Sequence, residues 1–403
     1  MACRVLLLQG ASLVPECGAM KKISILFHDA GGGHRNAAVA LQTVIEQQHR
    51  GWQVELTQFQ ELTDQLDVLR KLTGIRIQEQ YNTLLRNGWT LGSTQLLRVL
   101  QTTVRIFHRP MVNLLKKHFQ EHPADLLVSV IPHFNREIGE AWSAVYPGRP
   151  FVTIITDLAD FPPRFWIEPG QQQYVICGTE KAVEQAHLLG KDDAHVFATS
   201  GMILRPDFYG ANGTDPVALR RELNLRVDLT TGMMLFGGFG SKVMYQIAER
   251  LEATSLPLQL LVICGRNEQL ADKFRARAWK LPIHVVGFTK EVHRLMYAAD
   301  FLIGKPGPGS VAEGMVRGLP VILECNSWTL PQERYNTEWV KEKRVGIVLN
   351  NFDQIADGVR HMLEPGKLAE FQENVKALNN RAVFEIPEIF AKLLNENAAQ
   401  PAS

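Results

Sequence analysis

The 403-residue sequence predicts an α/β protein made of two Rossmann-like halves, each on a mostly parallel sheet. Three observations carry that reading. From Lys22 onward, short β-branched and apolar runs alternate with segments of helical period, the order of strand and crossover helix in a parallel sheet covered on both faces. Those runs fall into two sets separated by Arg205 to Pro216, a stretch with Gly, Asn-Gly and Pro. Several of them end in glycine-rich turns that open a helix, the place where open α/β sheets bind ligands.

The first set of strands is expected at Ile23 to Phe27, Gln53 to Thr57, Leu126 to Ile131, Phe151 to Thr156, Tyr174 to Cys177 and His195 to Ala198. The second is expected at Met233 to Phe236, Leu258 to Cys264, Ile283 to Gly287, Phe301 to Ile303, Val321 to Cys325 and Val345 to Leu349. Between the sets, Asp215 and Pro216 suit the N-cap and first position of a helix, since proline loses no hydrogen bond there and presets its backbone angle. The expected domains are 20–205 and 206–375, with 376–403 a C-terminal helix and tail that can pack back on the first half. Residues 1–19 read as an upstream extension, because Met20 is followed by Lys21-Lys22 and a clean strand. No fixed-period repeat and no low-complexity tract argues for a solenoid.

Length favours two domains over one core. A net charge of +1 and a pI near 7.7 give no general attraction to nucleic acid or anionic lipid, so no nucleic-acid partner is expected. No apolar run reaches the length of a membrane span, and Val5 to Leu8 is too short an apolar run for a secretory signal. The five cysteines lack metal or disulfide-framework spacing, which suits a reducing cytosol.

One region breaks the alternation. Residues 61–123 hold no expected strand and read as a helical insertion, too long for an ordinary crossover. Within it Arg70, Lys71, Arg76, Arg86, Arg98, Arg105, Arg109, Lys116 and Lys117 stand against Asp67 and Glu79, interleaved with apolar residues. Such a surface can rest on anionic headgroups, gaining roughly 1 kcal/mol per basic residue near them, or it can be an ordinary solvated face of a packed insertion.

Chemistry concentrates at the strand ends. The first strand runs through His28-Asp-Ala-Gly31-Gly32-Gly33-His34 into a helix. Three glycines leave room for a ligand, and the positive end of the helix holds His34 partly neutral, as a general base must be near pH 7. Packing or capping is the alternative role for His34. His28 reads as structural, because two histidines on one turn make poor metal ligands without a third. Asp157 closes Thr153-Ile-Ile-Thr-Asp157 at the same sheet edge, where it can orient a catalytic partner or simply form a turn. In the second half, Gly237 and Gly238 lie in Phe236-Gly-Gly-Phe-Gly240, and Phe288 follows another strand. The run Gly304-Lys305-Pro-Gly307-Pro308-Gly309-Ser310-Val-Ala-Glu313 reads as an anion cradle, with amides at a helix start and a lysine charge. It is neither a Walker A loop nor a dinucleotide fingerprint, and Ser310 with Glu313 also fits a capping box. Gln332 and Glu333 can take vicinal sugar hydroxyls, or lie at an exposed helix start.

Taken together, His28 to Arg35, Phe151 to Leu158, Gly201-Met-Ile-Leu-Arg-Pro206, Phe236 to Gly240, Lys305 to Glu313 and Pro331-Gln-Glu333 with Asn336 resemble the monogalactosyldiacylglycerol synthase and bacterial diacylglycerol glycosyltransferase family, within glycosyltransferase family 28. The resemblance runs from Ile23 to about residue 365. It implies a GT-B fold, with an acceptor- and membrane-binding first domain and a nucleotide-sugar-binding second domain facing each other across a cleft. The implied reaction moves a hexose from a UDP-hexose to the free hydroxyl of 1,2-diacylglycerol, with inversion, by a peripheral enzyme on the cytoplasmic face of an anionic membrane. His34 is then the base, with Asp157 near the same cleft. Gly307, Pro308, Gly309 and Ser310 would face the diphosphate, Glu313 the ribose, Phe288 the uracil, and Gln332 with Glu333 the hexose. Helix amides would meet the phosphate charge, so no metal or other cofactor is expected to be essential. Ala30 stands where the family commonly has Thr, Pro306 where it has Ala, and the loop at Phe239 and Gly240 lacks the family's acid; these bear on the hexose and acceptor. The same fold and donor would also serve UDP-N-acetylglucosamine transfer to a polyprenyl-linked acceptor, UDP-sugar epimerisation, or a non-catalytic UDP-sugar-binding regulator.

Overall fold

The computed structural model describes residues 20–29, 33–63, 108–210 and 213–398. Gly31, Gly32, residues 1–19 and most of the basic insertion lie outside that set. Two six-stranded, wholly parallel sheets form the molecule.

The first sheet contains β1 (Lys22–Phe27), β2 (Gln53–Gln58), β3 (Leu126–Ser129), β4 (Phe151–Ile154), β5 (Tyr174–Cys177) and β6 (Val196–Ala198), in spatial order β2-β1-β3-β4-β5-β6. Its helices are α1 (Gly33–Gln47), α2 (Phe59–Thr63), α3 (His108–Glu121), α4 (Asn135–Val145) and α5 (Glu180–Leu188). The second contains β7 (Thr230–Leu235), β8 (Leu258–Ile263), β9 (Ile283–Val286), β10 (Phe301–Gly304), β11 (Val321–Glu324) and β12 (Gly346–Leu349), ordered β12-β11-β10-β7-β8-β9. Around it run α6 (Pro216–Glu222), α7 (Val243–Glu252), α8 (Glu268–Arg275), α9 (Val292–Leu295), α10 (Pro308–Val316), α11 (Pro331–Glu342), α12 (Ile355–Met362) and α13 (Lys367–Ala377), and α14 (Ala382–Ala398) closes the described chain.

Every predicted strand is present, with ends that differ by a few residues. The largest difference is at β7, which begins at Thr230 rather than Met233. The added residues include Gly232, where a Cβ would lie 2.9 Å from Phe301 Cζ on β10, so the missing side chain is what lets the two strands pack. The Asp300 carboxylate also accepts the Thr231 amide at 2.7 Å and anchors the early pairing. As expected, Asp215 caps α6 by accepting from the Val217 amide, with Pro216 at the first position.

Burial on both faces explains why β1 is a continuous apolar run. Ile23, Ile25 and Phe27 pack with Leu41, Val44 and Ile45 of α1, and Leu26 on the other face packs with Leu115 and Phe119 of α3 and Trp142 of α4. The same first cluster holds Val383, Ile386, Phe390, Leu393 and Leu394, so α14 returns to cover the first sheet. A further cluster crosses between the halves, joining Leu158, Ala159, Met202 and Leu204 to Met296, Tyr335 and Trp339. Lys343 Nζ donates to Glu180 Oε1 across the same junction at 2.9 Å. Among the described residues no helix is long and apolar enough to cross a membrane.

Candidate active site

Order β2-β1-β3 places a topological switch point between β1 and β3, where successive connections leave on opposite faces and open a crevice at the strands' carboxyl ends. His28 follows β1, His34 is the second residue of α1, His133 follows β3, and Thr156 and Asp157 follow β4. His34 Nδ1 lies 2.9 Å from Thr156 Oγ1. Burial lowers the pKa of His34 to about 4, against a hydrogen bond with the Val130 backbone that acts the other way. The imidazole is therefore neutral near pH 7, free to accept a proton rather than give one.

Asp157 does not hold His34. Its Oδ2 accepts the Trp166 indole N–H at 3.0 Å, and the Trp166 ring lies 5.8 Å from that of His34. Burial raises the Asp157 pKa to about 7; the Trp166 bond opposes this, and the charges of Glu333 and Asp160 add to it. The two halves meet beside this loop, where the Phe161 ring lies 6.0 Å from that of Tyr335 on the helix that also carries Glu333. Asp160 itself accepts the amides of Arg164, Phe165 and Trp166 at 3.0, 2.8 and 2.7 Å, fixing the loop that carries Trp166.

In the second half, α10 begins at Pro308 with Gly307 as its N-cap. This corrects the capping-box reading: Ser310 is the third helical residue, and its hydroxyl donates back to Gly307 O at 3.3 Å instead of capping. Val311 N donates to Gly307 O, which leaves the amides of Gly309 and Ser310 without intrahelical acceptors and available to an anion. Glu313 lies one turn further on, half-buried; burial raises its pKa to about 7, and Arg205 opposes the rise.

Gly237, Lys305, Gly307 and Glu333 converge. Lys305 Nζ stands 3.6 Å from Glu333 Oε1, and a Cβ on Gly307 or Gly237 would lie 3.7 Å from Glu333 Oε1 or Lys305 Cε respectively. Glu333 and Gln332 occupy the first turn of α11, and Glu333 is buried, which corrects the exposed-helix-start alternative. Gln332 Oε1 is buried with no hydrogen-bond partner. Asn336, one turn on, donates its Nδ2 to Pro306 O at 2.7 Å and ties α11 to the glycine turn. Phe288 is 53% exposed, and the Arg266 guanidinium lies over its ring at 4.9 Å. The Arg266 amide donates to Gly238 O at 2.8 Å, so Gly238 and Phe288 are linked through a residue that the sequence reading missed.

Thr156, Trp166, His133 and Arg266 are the residues here that sequence reasoning did not single out. Thr156 and His133 had a signal, since both stand at or just past the end of an expected strand at the same sheet edge. Trp166 and Arg266 had none, because loop closure alone brings them in. Among the described residues, no group of His, Cys, Asp and Glu is spaced to hold a metal ion.

Residues 234–382 match the glycosyltransferase family 28 C-terminal domain. Monogalactosyldiacylglycerol synthase 3 of Arabidopsis thaliana is 28% identical over 393 residues, covering 91% of this chain and 80% of its own. Monogalactosyldiacylglycerol synthase 1 of the same plant is 28% identical over 412 residues, covering 96% and 73%. Among solved structures, MurG of Acinetobacter baumannii superposes with a TM-score of 0.60 at 14% identity over 92% of this chain and 99% of that one. The calicheamicin glycosyltransferase CalG4 gives 0.60 at 15% identity over 95% and 100%. The two parallel sheets are thus those of a GT-B fold, and this chain is a glycosyltransferase that carries the family 28 C-terminal domain and is similar along most of its length to the monogalactosyldiacylglycerol synthases.

Proposed function

We propose that the enzyme transfers a hexose from a UDP-hexose to the free hydroxyl of 1,2-diacylglycerol, with inversion at the anomeric carbon. The observation that carries the reading is the meeting of two unlike sites across one crevice. A neutral imidazole with Asp157 stands on one side, and an anion-ready helix start with buried Gln332 and Glu333 stands on the other. Similarity to monogalactosyldiacylglycerol synthases over 91% of the chain supports the lipid acceptor, and a GT-B neighbour, Anabaena Alr3699/HepE, was crystallised with UDP-glucose (TM-score 0.53, 16% identity).

In this reaction the acceptor hydroxyl loses its proton to His34 as its oxygen bonds the anomeric carbon, and the bond from that carbon to the diphosphate breaks. His34 is kept in its base form by burial, and the donor's negative charge, once bound, raises its basicity. The departing diphosphate meets the amides of Gly309 and Ser310 and the Lys305 ammonium, now drawn from Glu333. Gly237 and Gly238 leave room for the donor, Glu313 takes the ribose diol, Phe288 the uracil, and Gln332 with Glu333 the hexose hydroxyls. Gly33, with nothing within 4 Å of where a Cβ would stand, leaves space on the acceptor side; Gly31 and Gly32, assigned to the same loop by the sequence, lie outside the described residues. The basic segment within 61–123 supports binding to an anionic membrane, and a peripheral place on its cytoplasmic face follows from the acceptor.

Labelled UDP-galactose and UDP-glucose, each supplied with diacylglycerol in mixed micelles, test this by mass spectrometry of the lipid product. A monohexosyldiacylglycerol is expected. A labelled polyprenyl-linked sugar or a UDP-sugar epimer, with no glycolipid, overturns it. Because amides and Lys305 meet the phosphate charge, turnover in excess EDTA is expected to stay within a factor of about two of that with magnesium, whereas metal-assisted departure would lose several kcal/mol of stabilisation.

A further inference from the structure

His28 and His133 flank the β1/β3 switch point, yet the reaction as drawn uses neither. The ring of His28 packs against those of Phe59 (5.4 Å) and Phe134 (5.8 Å), which touch each other, and its Nδ1 is buried without a hydrogen-bond partner. An unpaired buried nitrogen is costly, so its retention asks for a partner that the ligand-free protein lacks. His133 holds a left-handed backbone (φ 71°), unusual for a residue with a side chain. That conformation is enforced by its amide, which donates to Phe165 O at 2.6 Å, and its ring stands edge-on to the Phe165 ring at 4.0 Å. β1 and β3 pair directly, His28 and His133 follow those two strands, and His34 opens the helix after β1, so the three imidazoles share one edge of the sheet. Burial holds all three uncharged near neutral pH.

We propose that His28 and His133 form the polar floor of the acceptor site and donate hydrogen bonds to ester carbonyls beside the reacting hydroxyl, presenting that hydroxyl to His34. This rests on the diacylglycerol reading above and deepens it. Neutral imidazoles beside aromatic rings suit an uncharged glycerolipid headgroup: they offer directed N–H donors without the cation that a diphosphate-linked acceptor would need. Arg35, on the helix behind His34, is already paired with Asp29 at 3.2 Å. Phe59 also opens α2, and its ring meets that of Phe134 at 4.9 Å, so the wall beside His28 is aromatic and apolar.

The test compares 1,2-diacylglycerol with the matched 1,2-dialkylglycerol, which keeps the hydroxyl and chains but lacks both carbonyls. Wild type is expected to prefer the ester by about 10-fold in kcat/KM, the scale of a hydrogen bond or two. His28→Phe keeps the ring packing and removes the nitrogens, and His133→Asn suits the left-handed backbone while removing the imidazole. Each variant should raise KM for the ester lipid and bring the ester-to-ether ratio toward one, with UDP affinity unchanged as the check on folding. Variants that bind UDP normally and retain the wild-type ratio overturn the proposal while leaving the diacylglycerol reading intact. A wild-type enzyme that glycosylates neither lipid overturns the diacylglycerol reading itself. Equal wild-type rates on both lipids leave that reading standing and overturn ester recognition.

Discussion

At the scale of single residues, the crevice sets ionisable groups in environments that push them toward their uncharged forms. For His34 that is the working form. His34→Ala is expected to lower kcat by about 10²- to 10⁴-fold, the usual worth of a general base, with UDP affinity preserved; isothermal titration beside steady-state kinetics checks both halves of the statement. Glu313 shows the opposite sign. Its folded-state pKa, raised to about 7 by burial, lies above the usual carboxylate value, so the folded protein binds more protons than the unfolded chain between about pH 4.5 and 7. The resulting stability is present below pH 4.5 and is lost as pH rises through 7. Glu313→Gln, which carries no charge, should therefore melt higher than wild type at pH 8, with the gap closing at pH 5. The same substitution should weaken UDP binding at pH 8, because an ionised carboxylate accepts two ribose hydroxyls and an amide only partly replaces it. Thermal unfolding at the two pH values and a UDP titration measure this pair of outcomes.

At the scale of elements, the donor side depends on two short backbone segments held by side chains from elsewhere. The turn from Lys305 to Gly307 is tied to α11 by one buried bond, Asn336 Nδ2 to Pro306 O at 2.7 Å, and Asn336 is fully buried. Asn336→Ala leaves that carbonyl unpaired, at a cost of about 1 to 3 kcal/mol. It is expected to lower the denaturant midpoint and to weaken UDP binding together, since the turn that positions the amides of Gly309 and Ser310 loses its anchor. The glycine turn after β7 is held differently. Gly265 has φ +60°, and a Cβ there would stand 2.4 Å from Gly238 O, so two loops stack backbone on backbone with no room for a side chain. Gly265→Ala should displace the 237–240 turn and reduce donor affinity while leaving the sheet intact, as read by UDP titration and far-ultraviolet circular dichroism.

At the scale of the whole molecule, the chain is stitched together by its last described helix. α14 leaves the second half and buries Val383, Ile386, Phe390, Leu393 and Leu394 against β1 and α1. Ser200, just past β6, donates its hydroxyl to Glu385 Oε1 at 2.6 Å and accepts the Arg381 amide at 2.6 Å, which fastens the approach to α14 beside the linker. Phe390 is fully buried, so Phe390→Ala should cost about 3 to 5 kcal/mol. The first half is expected to unfold earlier in a urea titration, even though the substitution lies nearly two hundred residues beyond that half's last strand.

The periodic parts of this protein were legible in its sequence. All strands of both sheets, the Asp215-Pro216 helix start and the strand-end positions of His34, Asp157 and Phe288 follow from local rules of burial, backbone angle and turn chemistry, which act over a few residues. Ser310 was misread for the same reason. A capping box is a local pattern, and only the seated helix shows that Pro308 begins it and that the Ser310 hydroxyl turns back to Gly307 O. What lies between elements had to wait for the tertiary structure: Thr156 against His34, Trp166 on Asp157, Arg266 over Phe288, the unpaired nitrogen of His28 and the return of α14. These contacts join residues from different loops or halves, and their partners are chosen by which strands lie side by side and how loops close, a property of the packed sheets that no short stretch of sequence encodes.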